Sequence, residues 1–316
     1  ACNAGGPRCL KYGVTGDYVL GLTVVLADGQ ILKTGGKVIK DVVGYDLAAL
    51  MTGSEGTLGI ITEALLRLTS KPSFARTALV EYDDLADASR TVNAILSAGI
   101  VPATMELMDQ TAIECIEKAM KLGLPVERAA VLLIETDGSD AEMVNREIET
   151  IAEICKKTGA QNVKVANNET ERANLWKARR SVSPALARLS PNKLGEDITV
   201  PIQAIPEAVR RLKEISAKYG LPIVIFGHAG DGNLHPNILF DKRDPEQWAK
   251  VEKIVEEEFN VALALGGTLS GEHGVGKLKR PYIEKALGSV SIGIQKGIKQ
   301  VLDPYNILNP GKVLPD

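Results

Sequence analysis

The chain has only three histidines, and all of them fall in two glycine-rich stretches. His228 and His235 lie in Phe226-Gly227-His228-Ala229-Gly230-Asp231-Gly232-Asn233-Leu234-His235, and His273 in Ser270-Gly271-Glu272-His273-Gly274-Val275-Gly276. Two imidazoles flanking one turn, with the later Glu272, make a two-histidine, one-carboxylate set. Three protein ligands leave an open position, as a catalytic divalent metal requires. Zinc is the first expectation, and Mn²⁺ or Fe²⁺ accept the same ligands. Neighbouring side chains point in different directions, so His273 is left over as a base, and imidazole is the side chain suited to taking a proton at neutral pH. The bland alternative is that the histidines only hydrogen-bond their loops. Their concentration argues against it.

Two further constellations carry chemistry. Residues Glu169–Leu189 read as one helix, kinked or restarted at Pro184. On such a helix Arg179 and Ser183 are one turn apart and share a face. A guanidinium fork with a hydroxyl beside it suits a carboxylate, although a solvated basic face has the same composition. Gly53-Ser54-Glu55-Gly56-Thr57-Leu58-Gly59 packs three glycines into seven residues, which implies positive-φ turns or close backbone approach to a ligand. Amides of such a loop can hold a phosphate or a ring carbonyl. It is not a GxGxxG between a strand and a helix, so no Rossmann site is expected.

The elements that must position these residues follow from periodicity. Residues 1–70 read as loops and strands: Tyr18–Leu26, a turn at Ala27-Asp28-Gly29-Gln30, Ile31–Thr34, a short helix Leu47–Met51 and the strand Ile60–Thr69. Lys71-Pro72 breaks the pattern and marks a domain boundary. Beyond it strands and helices alternate with short connections: Thr77–Tyr82, Leu85–Ala98, Thr104–Met108, Gln110–Met120, Ala129–Glu135, Ser139–Thr158 and Val163–Ala166. That is the pattern of an α+β, split βαβ (ferredoxin-like) layer. Leu221–Phe226 and Leu234–Phe240 read as buried strands on either side of the turn between His228 and His235. Helices are expected over Pro206–Tyr219, Trp248–Leu265, Leu278–Leu287 and Ile292–Leu302.

With 316 residues, 45% hydrophobic and 24% charged, the chain can fill two domain cores. A net charge of −3 gives no electrostatic case for nucleic acid or an anionic membrane. No apolar run reaches the ~20 residues needed to cross a bilayer. Cys2, Cys9, Cys115 and Cys155 form no CxxC pair and no cluster for an iron–sulfur centre, and read as idle thiols of a reducing compartment. The chain starts at Ala1-Cys2-Asn3, without Met and inside what reads as a functional loop, as a piece of a longer protein would.

Six motifs occur in order: Asn3-Ala4-Gly5-Gly6, Asp41-Val42-Val43-Gly44-Tyr45-Asp46-Leu47, Gly53–Gly59, Gly227–His235, Gly271–Gly276 and Asn309-Pro310-Gly311-Lys312. In this combination the chain resembles the FAD-linked oxidases of the vanillyl-alcohol-oxidase, or p-cresol methylhydroxylase (PCMH), type. These include glycolate oxidase flavoprotein subunits and D-lactate and D-2-hydroxyglutarate dehydrogenases. The resemblance implies an α+β fold. Residues 1–72 would form the C-terminal part of a PCMH-type FAD-binding domain, its N-terminal half missing. Residues 73–316 would form the ferredoxin-like substrate (cap) domain, whose tail 303–316 returns to the flavin.

It also implies roles. Asn3, Ala4, Gly5, Gly6, Gly13, Gly53, Glu55, Gly56, Gly59, Ile60, Ile61 and Asn309 would line FAD. His228, His235 and Glu272 would hold the metal, and His273 would accept the proton. Arg179 would anchor the substrate carboxylate, Ser183 stands where some relatives have Thr, and Lys193 matches a substrate lysine in a looser alignment. The implied activity is FAD-dependent oxidation of a small 2-hydroxy acid, glycolate or D-lactate in type, to the 2-oxo acid. Electrons would leave to an iron–sulfur subunit, an electron-transferring flavoprotein or a quinone. The location would be cytoplasmic, or at the inner face of the membrane through such a partner, and self-assembly is compatible with it. Without the segment that grips the FAD pyrophosphate, the chain alone is expected to hold FAD weakly and to be inactive. Alternatives are a metal-binding α/β module without catalysis, or alkyl-dihydroxyacetone-phosphate synthesis, which would need a basic phosphate cluster that the sequence does not display.

Overall fold

The computed structural model describes residues 1–315. The strands are β1 (Val19–Val25), β2 (Ile31–Gly35), β3 (Ile60–Leu66), β4 (Phe74–Tyr82), β5 (Thr104–Asp109), β6 (Ala130–Gly138), β7 (Asn162–Val165), β8 (Asn192–Gly195), β9 (Ile198–Thr199), β10 (Ile223–His228) and β11 (Asn233–Phe240). The helices are α1 (Cys9–Tyr12), α2 (Leu47–Met51), α3 (Leu85–Ser97), α4 (Gln110–Met120), α5 (Ala141–Lys157), α6 (Glu169–Arg180), α7 (Val182–Leu189), α8 (Ile205–Tyr219), α9 (Pro245–Ala264) and α10 (Ile283–Leu302). Side chains of Asp84, Asp109, Asp140, Asn168 and Asp244 accept first-turn amides of α3, α4, α5, α6 and α9. Each satisfies donors that a helix start leaves open. No helix among the described residues is long and apolar enough to cross a membrane.

The chain forms two compact units. One comprises Ala1–Gly6, Gly13–Ser70 and Leu269–Asp316, the other Pro7–Tyr12 and Lys71–Thr268. The break at Ser70 lies beside the Lys71-Pro72 boundary read from sequence. The segment from Leu269 onward, which the sequence reading joined to the second domain, packs with the first unit. The reason is apolar: Ile298 and Leu302 of α10 lie against Leu22, Val24, Met51 and Leu58. In this unit β1 runs antiparallel between β2 and β3. The helices expected over 278–287 and 292–302 meet in one element, α10, which begins only at Ile283 and is broken at Gly288 (φ 75°, ψ 159°).

The second unit is built on an eight-stranded sheet in the order β7-β4-β6-β5-β10-β11-β8, with β9 also pairing with β11. Read along the sheet, its first four strands rank fourth, first, third and second in chain order. All their pairings are antiparallel, and α3 and α5 make the crossovers. This is the ferredoxin-like pattern expected from the alternation, with α4 inserted between β5 and β6. Every residue of β5, β10 and β11 is buried, so the sheet is covered on both faces.

Strand parity divides the two faces. Leu79, Met108, Val131, Leu133 and Phe226 share a core cluster with Ile113 and Ile116 of α4, Trp176 of α6 and Val182 and Leu186 of α7. Glu135, Glu106, His228 and His235 have the same parity and line the same face. The expected long helix over 169–189 is two helices, α6 and α7, parted at Ser181 rather than at Pro184. Proline is tolerated in a first turn, but its ring collides with the carbonyl four residues back, here that of Arg180, so the break precedes it.

Candidate active site

The second unit brings His228 and His235 together as their places around one turn predict. Phe226 pairs with His235 across β10 and β11, and His228 with Asn233. The turn is tight: Gly232 has φ 81°, and a Cβ there would stand 1.9 Å from the Val200 carbonyl oxygen, so no other residue fits. The rings sit edge to face with centroids 5.1 Å apart and Nε2 atoms 3.4 Å apart. Both histidines are buried. Two nitrogens, each about 2.0–2.1 Å from a tetrahedral zinc ion, lie about 3.3–3.4 Å apart, so the pair fits the spacing of a shared metal. A single shared hydrogen between the rings is the non-metal account of the same distance.

Behind this pair stands a group that sequence reasoning missed. Glu106 on β5 faces His228 in register and is wholly buried. Its Oε1 lies 2.6 Å from His228 Nδ1, and its Oε2 accepts from Arg179 Nε at 2.5 Å, with Nη2 also 2.5 Å away. Burial opposes ionisation of Glu106, but Arg179 and His228 outweigh it and hold the carboxyl below the usual range. The Arg179 guanidinium also lies over the Phe226 ring, 4.8 Å from its centroid. The signal available in sequence was an acid inside an otherwise apolar run of β5, Met105-Glu106-Leu107-Met108.

Helix α6 delivers Arg172, Trp176 and Arg179 from one face, at helical spacing, onto β6 and β5. Arg172 Nε and Trp176 Nε1 donate to Glu135 at 2.9 and 2.6 Å. Thr77 Oγ1 donates to the same carboxylate at 2.7 Å and Arg8 Nη2 at 2.9 Å. Asp137 accepts from Lys11, Tyr12 and Arg8. Two buried acids thus clamp both α6 and Pro7–Tyr12 to the sheet. Because the helix breaks at Ser181, Ser183 belongs to α7, where its hydroxyl is hydrogen-bonded to Lys193 Nζ of β8. Burial lowers the Lys193 pKa. Asn233 donates to Asp197 at 2.6 Å, and Asp197 Oδ1 is 3.9 Å from His235 Nδ1.

The first unit gathers most of the residues that the resemblance assigned to FAD. Asn3, Glu55 and Asn309 all have positive φ (57°, 51° and 41°). Such backbone is costly for a residue as large as Glu, by about 1–3 kcal/mol, and clusters at ligand sites. Glu55 is held in it by each of its polar groups. Its amide donates to the Ala1 carbonyl at 3.0 Å. Its carboxylate accepts from the amides of Val275 and Gly276 at 2.6 and 2.8 Å. Its carbonyl accepts from Asn309 Nδ2 at 2.6 Å. Gly56 (φ 72°) follows directly, and a Cβ there would meet that same amide nitrogen at 2.7 Å.

Glu55 therefore stitches the Gly53–Gly59 loop to the chain start, to the loop carrying Glu272 and His273, and to the tail. The tail is led there by Lys299, whose Nζ bonds the carbonyls of Thr57 and Leu308 and the Asp303 carboxylate. Gly6 lies beside Glu272, with 3.7 Å from a notional Cβ to its Oε2. Asn3 Oδ1 accepts from Gly16, and Ala4 from Thr15. Gly5 adjoins Gly6 in this loop, and Gly13 lies against Asp17. A cleft of about 240 Å³ is lined by Gly53, Ser54, Thr57, Ile298, Val313 and Leu314, among others. Gly59 serves packing, since a Cβ would strike Val24, while Ile60 and Ile61 continue into β3.

Comparison with known proteins sets a family boundary at residue 71 and, as the sequence reading did, joins the stretch after residue 269 to the second region, although that stretch packs with the first unit. The family model "FAD linked oxidases, C-terminal domain" matches residues 71–313, and the model "FAD binding domain" matches residues 1–35. The glycolate oxidase subunit GlcD of Bacillus subtilis (strain 168) is 51% identical over 311 residues, 98% of this chain and 66% of the relative. The D-lactate dehydrogenase of Anaerostipes hadrus is 36% identical over 320 residues, 99% of this chain and 67% of the relative. The chain thus spans about two thirds of the length of these curated relatives. A crystal structure of p-cresol methylhydroxylase with substrate bound superposes with TM-score 0.80 at 18% identity, over all of this chain and 68% of that one. At that identity the likeness is one of fold.

Proposed function

Because the chain belongs to the FAD-linked oxidase family, we propose that it serves an FAD-dependent oxidation of a small 2-hydroxy acid, of glycolate or D-lactate type, to the corresponding 2-oxo acid. The observation that carries the reading is the buried imidazole pair with Nε2 atoms 3.4 Å apart, backed by an ionised Glu106 that also binds Arg179. Such a set suits a polarised hydroxyl on one side and a substrate carboxylate on the other. The relatives named glycolate oxidase subunit and D-lactate dehydrogenase support the substrate class.

In this reading His228 and His235 are metal ligands, and Glu272 and His273 keep the roles of third ligand and base that their motif suggests. When bound, FAD supplies the hydride acceptor and a divalent ion, zinc before manganese or iron, supplies Lewis acidity. Arg179 binds the substrate carboxylate and fixes the direction of its Cα–H bond. Lys193 and Ser183 make a second polar contact for the acid. His273 takes the hydroxyl proton on its imidazole nitrogen. Electrons leave to an iron–sulfur subunit, an electron-transferring flavoprotein or a quinone.

The test is a panel of 2-hydroxy acids with a dye acceptor on flavin-loaded protein of the full length of the relatives, with metal analysis alongside. His273→Ala is expected to lower kcat on the order of 10²–10⁴-fold, the weight of general-base catalysis, with metal content unchanged. Turnover near that of the native protein would refute the role of His273. A protein that binds metal but oxidises none of the panel would be a binding module instead.

A further inference from the structure

Glu106 touches an imidazole with one oxygen and a guanidinium with the other, and its protonation state follows from that. The Arg179 guanidinium is permanently charged and sets two N–H groups 2.5 Å from Oε2, which holds the Glu106 carboxylate ionised. The other oxygen, 2.6 Å from His228 Nδ1, has no hydrogen to give, so the hydrogen between them sits on Nδ1. A neutral imidazole protonated at Nδ1 presents a bare lone pair at Nε2. That is the atom facing His235 Nε2 at 3.4 Å.

We propose that Glu106 is a positioning residue. It fixes the tautomer of His228, and with it the competence of that imidazole as a ligand, while aiming Arg179. The inference rests on the reading of His228 and His235 as metal ligands. A carboxylate behind a ligating imidazole also raises its basicity. The same group thus sets the metal side and the carboxylate side of the site.

Glu106→Gln discriminates by tautomer rather than by size. Arg179 forces the amide oxygen toward itself, which turns the NH₂ toward His228 Nδ1. Nδ1 must then accept, and the imidazole hydrogen moves to Nε2, where it blocks ligation. Zinc titration of native protein and variant by calorimetry is expected to show affinity weakened about 10–100-fold in the variant. A circular-dichroism melt serves as the folding control. In the flavin-loaded protein the loss in activity is expected to be recovered in part by added zinc, which a purely structural role would not produce.

Two-bond ¹H–¹⁵N spectra of the metal-free native chain read the tautomer directly. Its three histidines keep the spectrum simple, and single His→Gln variants assign it. His228 protonated at Nδ1 supports the proposal. His228 protonated at Nε2, or a Glu106→Gln protein that binds zinc as tightly as the native, overturns it. The spectrum needs no Glu106 variant, so it decides even where that variant does not fold. If native protein binds no divalent ion, the metal reading fails, and the spectrum still decides whether Glu106 sets the tautomer.

Discussion

Helix α9 carries an acid where its apolar stripe calls for a hydrophobe. Val251, Ile254, Val255, Phe259 and Ala262 are buried along one face, and Glu258 lies among them, 0% exposed. Neither of its carboxylate oxygens has a hydrogen-bond partner among the described residues. Burial first, and then the nearby carboxyl of Glu196, push its pKa well above 4.5. A group so placed stays protonated rather than bury an uncompensated charge. The folded chain therefore keeps a proton that the unfolded chain gives up above about pH 4.5, and stability falls as pH rises. The slope is about 1.4 kcal/mol per pH unit up to the folded-state pKa and flat beyond it.

Glu258→Gln removes that dependence at nearly constant volume. At pH 4.5 the variant should be no more stable than the native protein, because the amide brings unpartnered donors that cost about 1–3 kcal/mol. From pH 5 to pH 6 the difference should move in the variant's favour by about 1.4 kcal/mol. Urea unfolding at pH 5, 6 and 7, with equal m-values, reads this directly. Burial also raises Asp109, but that contribution is common to both proteins and cancels in the difference. A difference that does not change between pH 5 and 7 would refute the reasoning.

Other substitutions test the clamps around the site. Glu135→Gln leaves Arg172 and Trp176 facing an amide and should cost about 3 kcal/mol or more, measured by urea unfolding at pH 7. Burial opposes ionisation of Glu135, but Arg172, Thr77 and Trp176 hold its pKa below 4.5. Its contribution is thus present above about pH 4.5 and fades as pH falls through the folded-state value, so acid unfolding of the variant should be shallower. Glu55→Ala loses two amide-to-carboxylate bonds and should cost about 1.5–3 kcal/mol, with faster hydrogen exchange at Val275 and Gly276. Glu55→Gly, free of the positive-φ strain, should be about 1 kcal/mol less damaging. Equal losses would mean that the strain at Glu55 is negligible.

Much of this was legible in the sequence. Alternation with short connections announced the ferredoxin-like sheet, because strand and helix periods differ and the connections leave few topologies. The convergence of His228 and His235 followed from their places around one glycine turn. Glu106 and Glu258 were not found, for a common reason. Each is a single charge inside an apolar period, and a period weighs the many residues that obey it over the one that breaks it. Their partners, Arg179 and Glu196, come from distant elements that only the fold brings near. The break at Ser181 was misplaced because proline acts on the carbonyl four residues before it. The resemblance placed Glu55 in the FAD lining, but the hold of its carboxylate on Val275 and Gly276, two hundred-odd residues on, was not legible.

The division into units also orders the birth of the protein. Apart from the short Pro7–Tyr12 piece, the second unit is continuous from Lys71 to Thr268, whereas the first is assembled from three separated stretches. On a ribosome the sheet that carries His228 and His235 can close while the partner stretch of the first unit is still unmade. Met51 and Leu58 must wait for Ile298 and Leu302, two hundred-odd codons later. Until then the apolar side of β1 has no cover from α10, so that interval is when the nascent chain is most exposed to aggregation and most in need of a chaperone.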